Sequence, residues 1–314
     1  MKYLILSTLF FVNTLAFSNA PDIIKFIEVT KDSNSFKFVE TPDLYQENWH
    51  QLAQPNFWKS IMRMSPDSCL INVASTRQIL HKESLAKWNA MNDVQKDYAR
   101  QKFRELYGID STERVYMTTG KSDFFQFNHV YPSISKAVDI FSTNETDPWY
   151  AQAILMIESP GKIAYSNVGA YGPFQLMKGV ARNHGLRVDK YVDERKDFDK
   201  SAYGSAHLLR TACIPEAKRI LKKFNINVSK TMEYSLWFRL LVLHNYHAGA
   251  GNVDKLLTNV VKPNQGSQDL ITTIWQSQYG RFKNSSQNYS QLALASLLVL
   301  NDFISNECKV IEAG

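Results

Sequence analysis

The scarcity of residues that interrupt helices constrains this chain more than any other feature of its sequence. Glycine occurs 13 times and proline 10 times among 314 residues. Together they make about 7% of the chain, where average proteins have roughly 12%. Turn-rich all-β folds, collagen-like repeats and flexible linkers need more of both residues. Because 44% of the residues are hydrophobic, the chain can bury a core, and we predict a mainly α protein.

Residues 1–20 have the pattern of a secretory signal peptide. Lys2 precedes an apolar run over residues 3–17, and the small residues Ser18 and Ala20 follow it. We expect no lipobox, because no cysteine lies near the cleavage site. No other segment reaches about 18 uncharged apolar residues, so we predict no transmembrane segment. The protein is therefore expected to be periplasmic or secreted.

The cysteines and the net charge say less about function. The spacing of Cys69, Cys213 and Cys308 fits neither a zinc site nor a thioredoxin-type redox motif. At most one disulfide can form among them, and the sequence leaves all three pairings open. The formal net charge of +6 weakly favours an anionic partner.

Residues 21–120 are predicted to form an N-terminal helical region of unknown role. Within it, residues 21–66 mix polar and aromatic side chains without a sustained period, which indicates irregular structure around a helical body. Residues 84–107 repeat apolar side chains at helical spacing and precede Gly108, which predicts one long amphipathic helix.

The second part of the chain, residues 121–314, contains the clearest helix signals. Asp147 before Pro148 is typical of an N-cap followed by proline at the first helical position. This helix should end near Glu158, because the residue before Pro160 is biased away from the α conformation. Similar spacing predicts helices over residues 132–141, 180–183, 201–211, 217–224, 234–246 and 289–305.

Glu158 is the first candidate for chemistry. Burial and the negative end of a helix dipole both disfavour the charged form of a carboxylate at the end of an apolar helix. Such a glutamate can act as a general acid near neutral pH. The position alone is a weak signal, since a glutamate at a helix end is usually solvated.

The loop after this helix strengthens the signal. Gly169 and Gly172 bracket a turn that lets the backbone approach a ligand. Ser166 and Gln175 offer hydrogen-bond donors. The aromatic faces available to a sugar are Tyr165, Tyr171 and Phe174.

Two further blocks follow along the chain. Asp193, Arg195 and Asp197 are expected to form a structural ion-pair and capping cluster. A later helix ends in Asn245-Tyr246-His247-Ala248-Gly249-Ala250-Gly251-Asn252-Val253. His244 and His247 lie three residues apart, and without adjacent acidic ligands we expect a packing or groove-lining pair and no metal.

These four blocks, in this order, resemble the SLT-type lytic transglycosylases, whose catalytic fold is related to goose-type lysozyme. The family shows ES at a helix end, a serine before GA-x-G-x-x-Q, then D-x-R-x-D, then AYNAG-x-G-x-V. The matching residues here are Glu158, Ser159, Ser166, Gly169, Ala170, Gly172, Gln175, Asp193, Arg195, Asp197, Tyr246, Ala248, Gly249, Gly251 and Val253. The resemblance covers roughly residues 131–305, and the membrane-bound type D subgroup is most similar through its AYS segment.

The resemblance implies a lysozyme-like helical catalytic domain over residues 121–314 that acts on peptidoglycan glycan strands. It makes Glu158 the single acid and base that cleaves the β-1,4 bond between N-acetylmuramic acid and N-acetylglucosamine. The product would carry a 1,6-anhydromuramoyl end. Since no water is consumed, no second carboxylate is needed, unlike in most glycoside hydrolases. No cofactor, metal or nucleic acid is expected, and the oligomeric state is not predicted.

The resemblance also implies a set of substrate-binding residues. They are Ser159, Ser166, Gly169, Tyr171, Phe174, Gln175, Tyr246, His247 and Tyr289. The chain departs from the family pattern at several points: the spacing from Glu158 to Ser166 is one residue shorter, and the stretch from Cys213 to Ser235 is longer than a typical family connection. His247 replaces an asparagine, Pro173-Phe174 replaces a Leu-Met or Leu-Trp pair, and residues 285–288 lack the Glu-Thr pair that precedes the family's tyrosine.

Two alternatives remain open. The same fold could carry a hydrolytic muramidase or chitinase-like enzyme, or the chain could be a non-catalytic peptidoglycan-binding scaffold. Ser159 and Ser166 lack the partners of a serine hydrolase. A groove filled by the N-terminal region would indicate autoinhibition.

Overall fold

Helices dominate the chain, which confirms the prediction from its sparse glycine and proline. The structure is a computed structural model that describes residues 24–31, 33–158, 166 and 168–312. The predicted signal peptide, Ser159 and Tyr165 lie outside these residues. Within the described part of the chain, none of the helices has the length and apolar character needed to cross a bilayer.

The N-terminal region begins with a β-hairpin. Strands β1 (Phe26–Lys31) and β2 (Asn34–Val39) pair antiparallel, and helices α1 (Asp43–Gln46) and α2 (Ala53–Arg63) follow. The prediction of irregular structure over residues 21–66 was therefore wrong. Strands of six residues give too few repeats for their alternation to stand out among scattered aromatic side chains.

A second sheet also lies in this region. Strands β3 (Ser68–Val73), β4 (Ile79–Ser84) and β5 (Val115–Thr119) form an antiparallel sheet with β3 in the centre. The N-terminal region thus adds strands to the helices that the sequence predicted. Buried apolar side chains of this sheet, together with Trp88, form a separate small core: Cys69, Ile71, Val73, Leu80, Trp88 and Val115.

The single helix predicted over residues 84–107 is two helices, α3 (Leu85–Ala90) and α4 (Asp93–Tyr107). The break comes at Asn92, whose side chain accepts a hydrogen bond from the Gln95 backbone while the Gln95 side chain accepts one from the Asn92 backbone. This capping box begins a new helix and therefore separates two segments that share one apolar period. Gly108 ends α4 in the left-handed conformation, as predicted.

Helices α5 to α13 lie in the rest of the described chain, and all of them except α11 and α12 correspond to predicted helices, with ends that differ by a few residues. They are α5 (Tyr131–Thr143), α6 (Trp149–Glu158), α7 (Lys178–Asn183), α8 (Phe198–Leu208), α9 (Ile214–Lys222), α10 (Leu236–Ala248), α11 (Ala250–Leu256), α12 (Gln268–Gln276) and α13 (Asn284–Glu312). A π-helical turn, Leu209–Cys213, joins α8 to α9.

Helices α6 and α10 lie in the centre of the molecule. Every α6 residue before Glu158 is buried, as is α10 from Leu236 to Asn245. Helix α13 packs against both of them and, on another side, against α2 of the N-terminal region. The main apolar core therefore continues from the N-terminal region into the helices around α6.

The hairpin is joined to α6 by a side-chain amide. The Gln152 amide donates to the Val39 carbonyl at 3.1 Å and accepts from the Val39 backbone N–H at 2.9 Å. The buried glutamine satisfies both backbone groups of an edge strand, as another strand would. This contact fixes β2 against the helix that carries Glu158.

Candidate active site

A buried ion pair fixes the start of α6. The Asp147 carboxylate accepts a hydrogen bond from the Trp149 backbone at 3.0 Å, which confirms the predicted N-cap. It also accepts from Arg239 Nε on α10 at 2.8 Å, and both side chains are 7% exposed. Because breaking a buried pair leaves an uncompensated charge, this contact holds α6 and α10 in one arrangement.

Glu158 lies at the opposite end of α6, and its carboxyl group lines a groove. The apolar surroundings of the helix end raise the pKa of this carboxyl to about 7. The buried Tyr289 hydroxyl faces the carboxyl and partly offsets this rise in pKa, without ordinary hydrogen-bond geometry. Near neutral pH the carboxyl group can therefore both donate and accept a proton.

Tyr289 and His247 stand beside this carboxyl group. Their rings stack with centroids 4.4 Å apart. Tyr289 is 3% exposed, whereas His247 is exposed to the groove. Desolvation of the imidazole lowers the pKa of His247 and keeps the ring neutral near pH 7.

Ser166 closes a tight turn in the loop that follows. Its hydroxyl accepts a hydrogen bond from the Ala170 backbone at 2.9 Å, and its own backbone N–H donates to the Ala170 carbonyl at 2.9 Å. The hydroxyl hydrogen remains available to a ligand. This local ring of hydrogen bonds sets where the serine meets the groove.

Gly172 allows a close approach between two loops. Its φ is +84°, and a Cβ built on it would lie 1.8 Å from the Arg195 carbonyl oxygen. No side chain fits at that distance, so this turn requires glycine.

Arg195 is the centre of the predicted structural cluster. Its guanidinium contacts the Asp193 carboxylate at 2.7 Å and donates to the carbonyls of Gly169 at 2.9 Å and Leu176 at 3.0 Å. Asp197 caps α8 by accepting from the Lys200 backbone. The prediction of an ion-pair and capping role for this block is confirmed. The hydrogen bonds of Arg195 hold the loop that carries Gly169 and Gly172, called the glycine-containing loop below.

Tyr246 on α10 fastens the same loop from the other side. Its hydroxyl donates to the Phe174 carbonyl at 2.6 Å and lies 3.1 Å from Ser205 Oγ on α8. The aromatic ring is left to line the groove beside Glu158. Gly249 then ends α10 with a φ of +80°.

These elements enclose a groove of about 340 Å³. Of the predicted site residues, the structure brings together Glu158, Ser166, Gln175, Tyr246 and His247 in its lining. Gly169 and Tyr171 lie outside the lining. Gly169 accepts the hydrogen bond from Arg195, and the Tyr171 ring lies under the Arg195 guanidinium at 5.5 Å.

Two predictions about aromatic residues need correction. Phe174 cannot stack on a sugar, because it is 0% exposed and its ring packs on Phe141 at 5.6 Å. Its backbone carbonyl, which holds Tyr246, is the part that shapes the site. Tyr289 lies behind the groove and contacts Glu158 and His247 instead of presenting a free face.

The sequence did not identify the apolar wall of the groove. The apolar wall consists of Met177, Val180 and Leu208, and Glu216 on α9 also lines the groove. No local pattern marks these residues, because only the packing of α7, α8 and α9 brings them side by side. The described lining residues all lie between residues 158 and 250, so the N-terminal region supplies none of them.

The remaining candidates have structural roles. His244 is fully buried, its Nε2 lies 2.8 Å from Ser290 Oγ, and burial lowers its pKa to about 3. With His247 in the groove, the predicted packing or groove-lining pair is confirmed. Cys69 and Cys213 are buried free thiols, and the side chain of Cys308 lies outside the described part of the chain.

Comparison with protein families supports the resemblance to SLT-type lytic transglycosylases. Residues 140–267 match the family described as the transglycosylase SLT domain. A search of curated proteins found no match. The matched segment contains α6, the glycine-containing loop, the Arg195 cluster and the end of α10. Residues 140–267 are therefore an SLT-type transglycosylase domain, which has a lysozyme-like helical fold.

Proposed function

We propose that the protein is a peptidoglycan lytic transglycosylase that cleaves the β-1,4 bond between N-acetylmuramic acid and N-acetylglucosamine. The observation that carries this proposal is the Glu158 carboxyl group, which ends a fully buried helix, lines the groove and has a pKa of about 7. A scaffold that only binds glycan has no need of such a group. The similarity to the type D subgroup remains a prediction.

In the proposed reaction, protonated Glu158 donates its proton to the glycosidic oxygen as the bond from that oxygen to the muramoyl C1 breaks. The resulting carboxylate accepts the proton of the muramoyl 6-hydroxyl as its oxygen bonds to C1. The products are a 1,6-anhydromuramoyl end and a free N-acetylglucosamine hydroxyl, and the proton returns to Glu158. A pKa near 7 suits a group that must give up and recover one proton.

The other groove residues have roles that follow from their chemistry. Ser166 and Gln175 can hydrogen-bond sugar hydroxyl or acetamido groups, and the rings of Tyr246 and His247 can pack against pyranose faces. The apolar wall can cover the opposite face of the sugar and exclude water. Exclusion of water favours ring closure by the 6-hydroxyl over hydrolysis.

One observation favours the hydrolytic alternative. The His247 imidazole lies in the same groove, is neutral near pH 7 and makes no hydrogen bond within the described residues. A neutral imidazole in that position is able to deprotonate water as a general base. The reaction would then leave a reducing muramic acid end.

Mass spectrometry of muropeptides from digested, purified sacculi distinguishes these functions. We expect anhydromuramoyl products from the wild-type protein and about 100-fold to 10,000-fold less product from Glu158→Gln. Reducing muramic acid ends would establish the hydrolase. Binding to sacculi without any released fragment would establish the scaffold.

The proposed location follows from the substrate and from the predicted signal peptide. We propose that residues 1–20 direct the protein to the periplasm or the outside of the cell. Mass determination of the mature N-terminus after expression with the native leader tests this, and an intact Met1 in the exported fraction contradicts it.

A further inference from the structure

One turn of α13 joins the N-terminal region to the candidate active site. The four residues from Asn288 to Gln291 contact three different parts of the molecule. The first and last contact the N-terminal region, Tyr289 contacts the site, and Ser290 contacts the central helix α10. The described lining of the groove includes no residue of the N-terminal region, and this turn connects that region to the site.

Arg77 makes the first of these contacts from the tight turn between β3 and β4. Its Nη2 donates to Asn288 Oδ1 at 3.0 Å, and its guanidinium lies over the rings of Phe57 at 5.5 Å and Trp58 at 5.4 Å. It is 7% exposed, and burial lowers its pKa. Its φ of +61° is uncommon outside glycine. A buried cation on an uncommon backbone conformation indicates that the contact constrains this turn.

Trp58 makes the second contact. Its indole Nε1 donates to Gln291 Oε1 at 3.0 Å, and the two residues are 8% and 2% exposed. Residues 288 and 291 share one face of the helix because three positions bring a helical residue almost back to the same side. Arg77 and Trp58 therefore hold one face of this turn at two points.

The residues between these points reach the active site and the central core. Ser290 Oγ accepts from Trp275 Nε1 at 2.7 Å and lies 2.8 Å from His244 Nε2. The neighbouring Tyr289 faces Glu158 with its hydroxyl and stacks on His247 with its ring. The rotation of this one turn thus decides where the Tyr289 hydroxyl lies.

We propose that the N-terminal region is a positioning element for catalysis, in which Arg77 and Trp58 hold residues 288–291 of α13 and thereby hold Tyr289 against Glu158 and His247. This inference rests on the proposed function of Glu158. Neither Arg77 nor Trp58 touches the groove, so both are positioning residues. A displacement of about 1 Å in such a support can lower a catalytic rate about 100-fold.

The test uses the full-length chain and two uncharged substitutions, Trp58→Phe and Asn288→Ala. The Glu158 carboxyl is titrated by ¹³C NMR, and its signal is assigned by its absence in Glu158→Gln. We expect the Glu158 pKa to rise above the wild-type value in both variants and in Tyr289→Phe, because Tyr289 holds that pKa down. The other titratable groups that line the groove or adjoin Glu158, which are Tyr246, His247, Cys213 and Glu216, stay in place.

Kinetics on soluble glycan strands give the second readout. We expect kcat to fall about tenfold in Trp58→Phe with KM unchanged, since the substrate-lining residues are intact. The fall in rate at high pH should move to higher pH together with the NMR pKa. A purely structural role would lower the amount of folded protein without changing the Glu158 pKa from NMR or the pKa in the pH dependence of the rate.

Asp302→Asn is the matched control. Asp302 contacts Lys59 at 2.8 Å and Arg63 at 2.7 Å in the same α2–α13 interface, about 20 Å further along the helix from Tyr289. We expect the wild-type Glu158 pKa and kcat in this variant. If the control shifts the pKa as much as Trp58→Phe does, the local positioning role is overturned.

The proposal is also overturned if Trp58→Phe and Asn288→Ala fold and keep the wild-type Glu158 pKa and pH profile. If Asn288→Ala unfolds, Trp58→Phe alone decides, because it keeps an aromatic ring in the core. The NMR titration needs no turnover. A protein that makes no anhydro product, and so fails the proposed function, still gives a result on whether Arg77 and Trp58 position Tyr289.

Discussion

The region around the groove and the N-terminal region use charge in opposite ways. Near the groove, Asp147 and Arg239 form a buried ion pair, and the buried guanidinium of Arg195 contacts the partly buried Asp193, while other ion pairs there lie at the surface. In the described part of the N-terminal region, ion pairs lie at or near the surface, and the buried cation Arg77 contacts an amide and two aromatic rings. The difference shows that buried charge is used where loops must be held in one geometry.

The two regions also differ in how their helices are buried. Helix α6 is buried from Trp149 to Ile157, whereas the longer α4 has no fully buried residue. Helix α4 exposes Val94, Tyr98 and Leu106 and packs Ala99 and Phe103 against the small core under its sheet. We therefore expect the energetic effect of a substitution to depend on the region more than on the residue type.

The largest effect is expected from breaking the Arg195 cluster. Arg195→Met removes the guanidinium that contacts the Asp193 carboxylate and two loop carbonyls, and we expect a loss of about 3–5 kcal/mol in the free energy of unfolding. Urea denaturation measures it. The matched control is Arg187→Met in the neighbouring exposed pair with Asp189, which should lose no more than about 1 kcal/mol. Equal losses in the two variants would remove the distinction between buried and surface charge.

A pair of glycines tests the same loop through backbone geometry. Gly172→Ala forces a Cβ against the Arg195 carbonyl at a positive φ, and we expect a loss of about 2–4 kcal/mol with loss of activity. Gly179→Ala lies in α7 with open space around its Cβ and should gain about 0.5–1 kcal/mol. Thermal unfolding of both variants decides, and a stable Gly172→Ala would contradict the close approach of the loops.

Glu158 makes the stability of the groove region depend on pH. Its folded-state pKa of about 7 lies above the ordinary value of 4.5, so the folded chain binds this proton more tightly than the unfolded chain. Stability is lost as pH rises from about 4.5 to about 7. Glu158→Gln should therefore be more stable than wild type by about 1–3 kcal/mol at pH 8 and equally stable at pH 4.

The pKa of Glu158 also predicts how the catalytic rate depends on pH. Activity should fall about tenfold per pH unit above pH 7, because the acid form of Glu158 is lost. Glu145→Gln, with a side chain that is 76% exposed, is the control and should change neither the pH dependence of stability nor that of the rate. A pH-independent difference between Glu158→Gln and wild type would show that the carboxyl group is not desolvated.

The smallest effect is expected on α4. Leu106 is 74% exposed and Leu155 on α6 is 1% exposed. Leu106→Ala should change the free energy of unfolding by no more than about 0.5 kcal/mol, whereas Leu155→Ala should lose about 2–5 kcal/mol. A large loss at Leu106 would mean that α4 is covered in solution.

The sequence by itself determined the elements whose ends carry local signals. Asp147 and Pro148 mark the start of α6, Pro160 marks its end, and together they place Glu158 at the end of an apolar helix. The confirmed helices among α5 to α13, which are all of them except α11 and α12, follow from the same local rules, since caps and apolar periods act within a few residues. The sequence likewise predicted the turn between Ser166 and Gln175, because its glycines allow backbone conformations that other residues rarely adopt.

Only the tertiary structure decided what each side chain faces. Phe174 lies in the same motif as Gln175, yet its ring is buried against Phe141. The pairing of β3 with β5, the apolar wall of the groove and the contact of Arg77 with Asn288 join residues far apart in the chain. Local spacing fixes hydrogen bonds within an element, whereas burial and contact depend on how distant elements pack, and no local pattern records that packing.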